Sequence, residues 1–211
     1  MSIGEAEWEN IVNEQFYLLK DDSHNAVQVN GLTAQKNGRE VNMWSEAAQA
    51  GISWNVPLNH LLEVERIYPF YKDKVLLIEN SGVFSIICSF FPELAVVFSS
   101  GQFKYSVWKI TEKLIDSGVQ VYYFGYLDSA GLHMAQKLLR RFDEQITLLL
   151  MDVEAYNKVI KEVKISEEHL RQLNSIKAPQ LVEVCKRMKQ EKLAGYQEGL
   201  LEELILFLEQ W

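Results

Sequence analysis

Two apolar runs dominate the hydropathy pattern of the chain, Lys74-Val75-Leu76-Leu77-Ile78-Glu79-Asn80 and Val121-Tyr122-Tyr123-Phe124-Gly125-Tyr126-Leu127-Asp128. Neither alternates, and short continuous β-prone runs read as parallel strands buried on both faces. The punctuation around them is that of a strand–helix alternation. Ser81-Gly82 follows the first run and leads into a helix over residues 83–91, which Pro92 stops; residues 94–98 form the next strand. Ser99-Ser100-Gly101-Gln102 turns into a helix over 104–116 with Trp108, Ile110 and Leu114 facing inward, and Ser117-Gly118 ends it. The third strand runs to Gly125, Ser129-Ala130-Gly131 opens a helix reaching Arg141, and residues 146–151 form a fourth strand. Repeated βα units predict a parallel sheet with right-handed crossovers.

The flanks follow other patterns. In residues 5–19, Trp8, Ile11, Val12, Phe16 and Leu19 share one helical face. Asp21 to Asn25 is a polar break, Ala26-Val27-Gln28-Val29 alternates as a short strand, and Lys36-Asn37-Gly38-Arg39 is a turn. Helices are expected over 44–50, ended by Gly51, and over 57–66, opened by Val56-Pro57. Beyond residue 153 the pattern is helical, with apolar stripes over 156–163, 166–173, 180–192 and 198–208. The expected architecture is therefore α/β: an N-terminal lobe over 1–71, a parallel-sheet domain over 72–152, and a helical C-terminal extension over 153–211.

Composition narrows the function classes. Cys88 and Cys185 lie far apart in apolar or helical contexts, which reads as inert thiols in a reducing compartment. The acidic N-terminus has no apolar signal core, and no apolar run reaches membrane-spanning length. A soluble, cytoplasmic protein with no membrane partner is expected. The net charge of −8 is concentrated in residues 1–71, where 4 Lys and Arg face 10 Asp and Glu; residues 72–151 balance at 8 against 8. Broad non-specific DNA binding is disfavoured, while a local groove on the later two thirds is not.

Candidate chemistry gathers at the ends of the strands. Glu79 and Asp128 follow the two apolar runs, and in open α/β sheets ligands and metals bind outside the carboxyl ends of strands. A few carboxylates there, with a substrate phosphate, are the usual way to hold Mg²⁺. Each acid has a plainer reading: Glu79 as a solvated strand-end acid, Asp128 as the N-cap of the helix that begins at Ser129. Ser100, Gly101 and Gln102 sit at the same expected edge, where Gly101 lets a phosphate approach the backbone, or they are a simple strand-to-helix turn. Lys104, Lys137, Arg140 and Arg141 are possible phosphate contacts, though the last two also complement a helix C-terminus. His133 reads as a packing histidine more readily than as a base, and His24, His60 and His169 have no zinc-type spacing. The sequence has no P-loop, GxGxxG or GxSxG motif.

Several separate motifs carry a family resemblance. They are Leu18-Leu19-Lys20-Asp21-Asp22-Ser23, Val56-Pro57-Leu58-Asn59-His60-Leu61, Ile78-Glu79-Asn80, Ser99-Ser100-Gly101-Gln102, Gly125 through Leu132, and Tyr196-Gln197-Glu198. In this order and spacing they resemble the C-terminal half of a Toprim-related bacterial family linked to Wadjet anti-plasmid systems, in which a nuclease subunit is encoded beside a condensin-like complex. The resemblance implies a Toprim-like sheet and a Mg²⁺-dependent nucleic-acid phosphodiester site, with Glu79 and Asp128 as metal ligands and Glu198 as a third acid. It implies nucleic acid as a partner, with a condensin-like complex or a missing N-terminal half as another. The sequence also departs from the family. Where the motif reads HGDFDWPG in one-letter code, this chain has FGYLDSAG: Phe124 replaces the His, Tyr126 the first Asp, and Ser129-Ala130 the Trp-Pro pair. The paired acids near the last helix become Gln197-Glu198. A phenol is a poor Mg²⁺ ligand at neutral pH. A degenerate Toprim domain that binds DNA or protein without catalysis is therefore the competing expectation. A small-molecule module on a doubly wound sheet rests on fold analogy alone.

Overall fold

The computed structural model describes residues 25–101, 103–159 and 163–211. The expected helix over 5–19 with Trp8 and Phe16, the motif at 18–23, and His24 and Gln102 all lie outside the described residues.

Strand β1 (Ala26–Asn30) is followed by a hairpin of β2 (Leu32–Lys36) and β3 (Arg39–Glu40). Its turn is Asn37-Gly38, both at positive φ, the pairing that a two-residue hairpin turn favours. Helix α1 (Asn42–Gln49), strand β4 (Trp54–Pro57), helix α2 (Leu58–Glu63) and strand β5 (Arg66–Pro69) follow. The helix expected over 57–66 is thus only six residues long, with β4 before it and β5 after it. The missed strand β5 is short, and it acquires its alternating buried positions, Ile67 and Pro69, only by pairing antiparallel with β2.

The α/β alternation then runs β6 (Lys74–Ile78), α3 (Ser81–Phe90), β7 (Val96–Phe98), α4 (Tyr105–Asp116), β8 (Gln120–Phe124), α5 (Ser129–Phe142) and β9 (Ile146–Leu148). These strands form a six-stranded sheet in the order β4-β1-β7-β6-β8-β9. The four from β7 to β9 are mutually parallel, and β1 is antiparallel to both β4 and β7. Two strands from the N-terminal part therefore complete one side of the sheet. Strand β9 is shorter than expected, because the backbone turns at Leu150, which is left-handed.

Central placement explains the composition of β6. Val75, Leu76, Leu77 and Ile78 are at most 1% exposed, each worth roughly 1.5–3 kcal/mol of burial. Helices on both faces supply the contacts: Val83, Phe84 and Ile87 from α3, Ile110 and Leu114 from α4, and Leu132, Ala135 and Leu138 from α5 all belong to the same core.

The C-terminal part holds α6 (Val153–Lys158), α7 (Glu167–Gln172), α8 (Pro179–Glu191) and α9 (Leu201–Leu208). It also contains an antiparallel pair of two-residue strands, β10 (Val163–Lys164) and β11 (Leu193–Ala194), where only helix was expected. Strands this short carry no periodic signal. Among the described residues no helix is long and apolar enough to cross a membrane.

Candidate functional site

Neighbouring parallel strands β6 and β8 send their connections in opposite directions, β6 through α3 to β7 and β8 through α5 to β9 on the far side. Their carboxyl ends therefore flank a topological switch point, the crevice where open α/β sheets receive ligands. Glu79 and Asn80 leave β6 there, while Tyr126 and Asp128 leave β8.

Glu79 is 7% exposed. Its Oε2 accepts two hydrogen bonds, from the Tyr123 hydroxyl and the Tyr126 backbone N–H, each at 3.1 Å. Tyr123 reaches it by folding its ring over Gly125, where a Cβ would stand 2.6 Å from the tyrosine oxygen. Burial holds the Glu79 carboxyl above the ordinary carboxylate range; the two donors oppose this and the charge of Asp128 reinforces it. The same burial, together with Glu79, pushes the Tyr123 phenol far above its usual value.

Asp128 caps α5: its Oδ1 accepts from Gly131 N–H at 2.7 Å. The helix-cap reading of this residue is therefore fulfilled. Asp128 also bears on Glu79 electrostatically, its charge disfavouring the ionised Glu79 carboxylate.

Glu198 arrives from seventy residues further along. Leu127 and Gly195 form an antiparallel bridge with N–H···O distances of 3.0 and 2.9 Å, and buried Gln197 donates from Nε2 to Phe124 O. These contacts lay the C-terminal segment along the end of β8. Asn80 then closes the cluster. Its Oδ1 caps α3 by accepting from Val83 N–H at 2.9 Å, and its Nδ2 donates to the Tyr126 hydroxyl at 2.5 Å and to Glu198 Oε1 at 2.6 Å. Tyr126 packs edge-on to Tyr196, ring centroids 5.8 Å apart. Its phenol is raised above its usual value, first by burial and then by Glu198, Glu79 and Asp128, so it is neutral at pH 7. Three carboxylates thus bear on one phenol.

The remaining candidates are less tightly joined. Ser100 and Gly101 follow β7, beside β6, and both are left-handed. Ser99 N–H continues the ladder to Ile78 O at 2.8 Å, and Phe103 from the same loop meets the Tyr123 ring at 6.0 Å. Lys104 is exposed at the start of α4 and makes no side-chain cap bond. Arg141 pairs with Glu112 and lies over the Trp108 ring at 5.0 Å, which ties it to α4. His133 is engaged at both ring nitrogens, Nδ1 donating to Ser129 O at 2.6 Å and Nε2 2.7 Å from Ser175 Oγ, so it fastens α5 to the turn beyond α7.

Sequence reasoning assigned no role to Asn80, Tyr123 or Gln197. Asn80 had one visible signal, its place directly after a strand-end acid. Tyr123 and Gln197 act through contacts that only the folded chain creates.

No curated protein matches the chain. Residues 54–208, well over half of its length, match the family described as "Protein of unknown function C-terminus (DUF2399)", and the chain belongs to that family.

Proposed function

We propose that the chain is a Toprim-like subunit that engages nucleic acid at the switch point but has lost most of its metal site, serving as a DNA-binding or assembly subunit. The observation that carries this reading is the Asn80 amide, which binds Tyr126 and Glu198 together and occupies the third acid. Mg²⁺ needs only one or two carboxylates when water and a substrate phosphate complete its shell. Glu79, whose Oε1 takes part in no hydrogen bond among the described residues, and Asp128 fit it as a two-carboxylate half-site. Among the described residues no group of three or more His, Cys, Asp or Glu is placed to hold an ion. A bound ion would polarise a phosphoryl oxygen and activate water. The chain's own part is to orient Glu79 through two donors and to position Asp128 through the helix cap.

A second reading, a Mg²⁺-dependent nuclease subunit, is favoured by Glu79 and Asp128 leaving the ends of adjacent parallel strands, with the charge of Asp128 felt at Glu79. It would use Ser100, Gly101, Gln102 and Lys104 at the phosphate. In either case the family resemblance suggests a cytoplasmic protein of a bacterial anti-plasmid or anti-phage defence system. Its partner there would be a condensin-like complex or a separate N-terminal half.

Calorimetric titration with Mg²⁺ and Mn²⁺ separates the two. Wild type is expected to bind weakly, and Tyr126→Asp more tightly, because an added carboxylate raises the ligand charge. Tight binding by wild type, with nucleic-acid cleavage that Asp128→Asn abolishes, would overturn the non-catalytic reading in favour of the nuclease.

A further inference from the structure

At the opposite edge of the sheet, where β6 begins, Tyr71, Lys72, Asp73 and Lys74 face Trp211 across an open cleft of about 480 Å³. Lys74 sits at the start of β6 and Glu79 just beyond its end, so the cleft lies about 17 Å from the acidic site at the usual rise of a strand. Lys74 Nζ stands over the Trp211 ring, 5.7 Å from its centroid, and Lys72 Nζ donates to Trp211 O at 2.7 Å. The Trp211 ring is fixed from behind by Tyr122, edge-on at 5.0 Å, and by Phe207 at 6.1 Å. On the other wall Tyr71 is 53% exposed, its ring braced edge-on by Phe70 at 4.6 Å. Among the described residues neither lysine is in an ion pair with Asp or Glu.

Lys74, and Lys72 once it exchanges its bond to Trp211 O, offer two ammonium donors beside two braced aromatic rings, with the Asp73 carboxylate of the same lining as the opposing charge. Such a set suits a phosphate that carries an aromatic base. Lysine supplies point charge to the phosphate, and a ring face stacks a base of any sequence. We propose that this cleft binds a nucleotide unit of single-stranded nucleic acid, the phosphate at Lys72 and Lys74 and the base on Tyr71. The choice of ligand rests on the nucleic-acid reading above, while the cleft needs neither the acidic site nor a metal. It gives an acidic chain a small net-positive foothold, two lysines against Asp73, on the side of the sheet away from Glu79, Asp128 and Glu198.

The test is fluorescence anisotropy of a labelled 12-residue oligodeoxythymidylate with the full chain, in EDTA, at several KCl concentrations. Wild type is expected to bind. Lys72→Ala/Lys74→Ala is expected to weaken binding at least tenfold and to flatten the log–log salt slope by about 1.4, the single-strand value for two lost phosphate contacts. Tyr71→Ala is expected to lose roughly 5- to 150-fold, the range for a stacked base, with the slope unchanged. Thymidine monophosphate should displace the strand, and inorganic phosphate at equal ionic strength should do so far less well.

No binding by wild type in EDTA would overturn the cleft, and no binding when Mg²⁺ replaces the EDTA would overturn the nucleic-acid reading as well. Binding that survives both cleft variants unchanged would overturn the cleft alone and leave that reading standing. Equal displacement by phosphate and nucleotide would mean that no base is read, and would also overturn it. A lysine variant that melts lower yet binds like wild type would reduce the lysines to a tether for Trp211.

Discussion

Glu79 carries the clearest conflict in the molecule, a carboxyl placed in the core yet given only two neutral donors for compensation. Burial raises its pKa, so the folded chain holds the proton more tightly than the unfolded chain does. The contribution of such a group to stability is fully present below its unfolded pKa, near 4.3, and is lost as pH rises through the higher folded value. Glu79→Gln keeps an oxygen for Tyr123 and Tyr126 and removes the charge. In metal-free buffer the variant should therefore melt no lower than wild type at pH 7, and its advantage should shrink toward pH 4. Thermal melts across that range check this, and a difference independent of pH would mean that the Glu79 charge is not what burial penalises. Much of this was legible beforehand, because an acid directly after four apolar strand residues is costly unless it has partners. The identity of the partners was not legible. Tyr123 reads in sequence as one more apolar strand residue, and its hydroxyl meets Glu79 only because Gly125 leaves room for the ring.

Among the elements, α5 shows how one residue can serve local structure and chemistry together. Asp128 caps it and also bears on Glu79. Asp128→Ala should cost about 1 kcal/mol through the lost cap, and Asp128→Asn only a few tenths. For a chain of this size that is a fall in Tm of about 2–4 °C for alanine, with asparagine near wild type. Equal losses for both would mean that charge, not the cap bond, holds the helix start. The βα punctuation was readable because Gly, Pro and Ser marked each boundary and the apolar runs were long. Elements without such signals were missed: β5, which has its pattern only when paired with β2, and the two-residue strands β10 and β11, which meet across α7 and α8. Glu198 escaped composition and periodicity for the same reason and was reached only through the family resemblance. A bridge between Leu127 and Gly195 leaves no trace in either local sequence.

At the scale of the whole molecule, the C-terminal segment joins the two ends of the sheet. It enters at the acidic edge with Gln197 and Glu198, crosses as α9, and finishes with Trp211 beside Lys72 and Lys74. Leu200, Leu204 and Leu208 are at most 2% exposed and belong to the main core, so α9 is part of the same packed unit as β6 and β8. Leu206 and Phe207 on its outer side remain open to solvent. If α9 is integral, a cavity beneath it should be felt by the entire fold. Leu204→Ala removes a fully buried side chain midway along the helix and should cost about 2–5 kcal/mol. At 2–4 °C for each kcal/mol, Tm should fall by roughly 4–20 °C. Far-ultraviolet circular dichroism and tryptophan fluorescence should shift together, since two-state unfolding gives coincident transitions. An early fluorescence change with the helical signal still intact would instead mean that α9 detaches alone. The acidic edge would then lose Glu198 before the sheet itself melts, and the closed Asn80 cluster would be a docked contact, separable from the core beneath it.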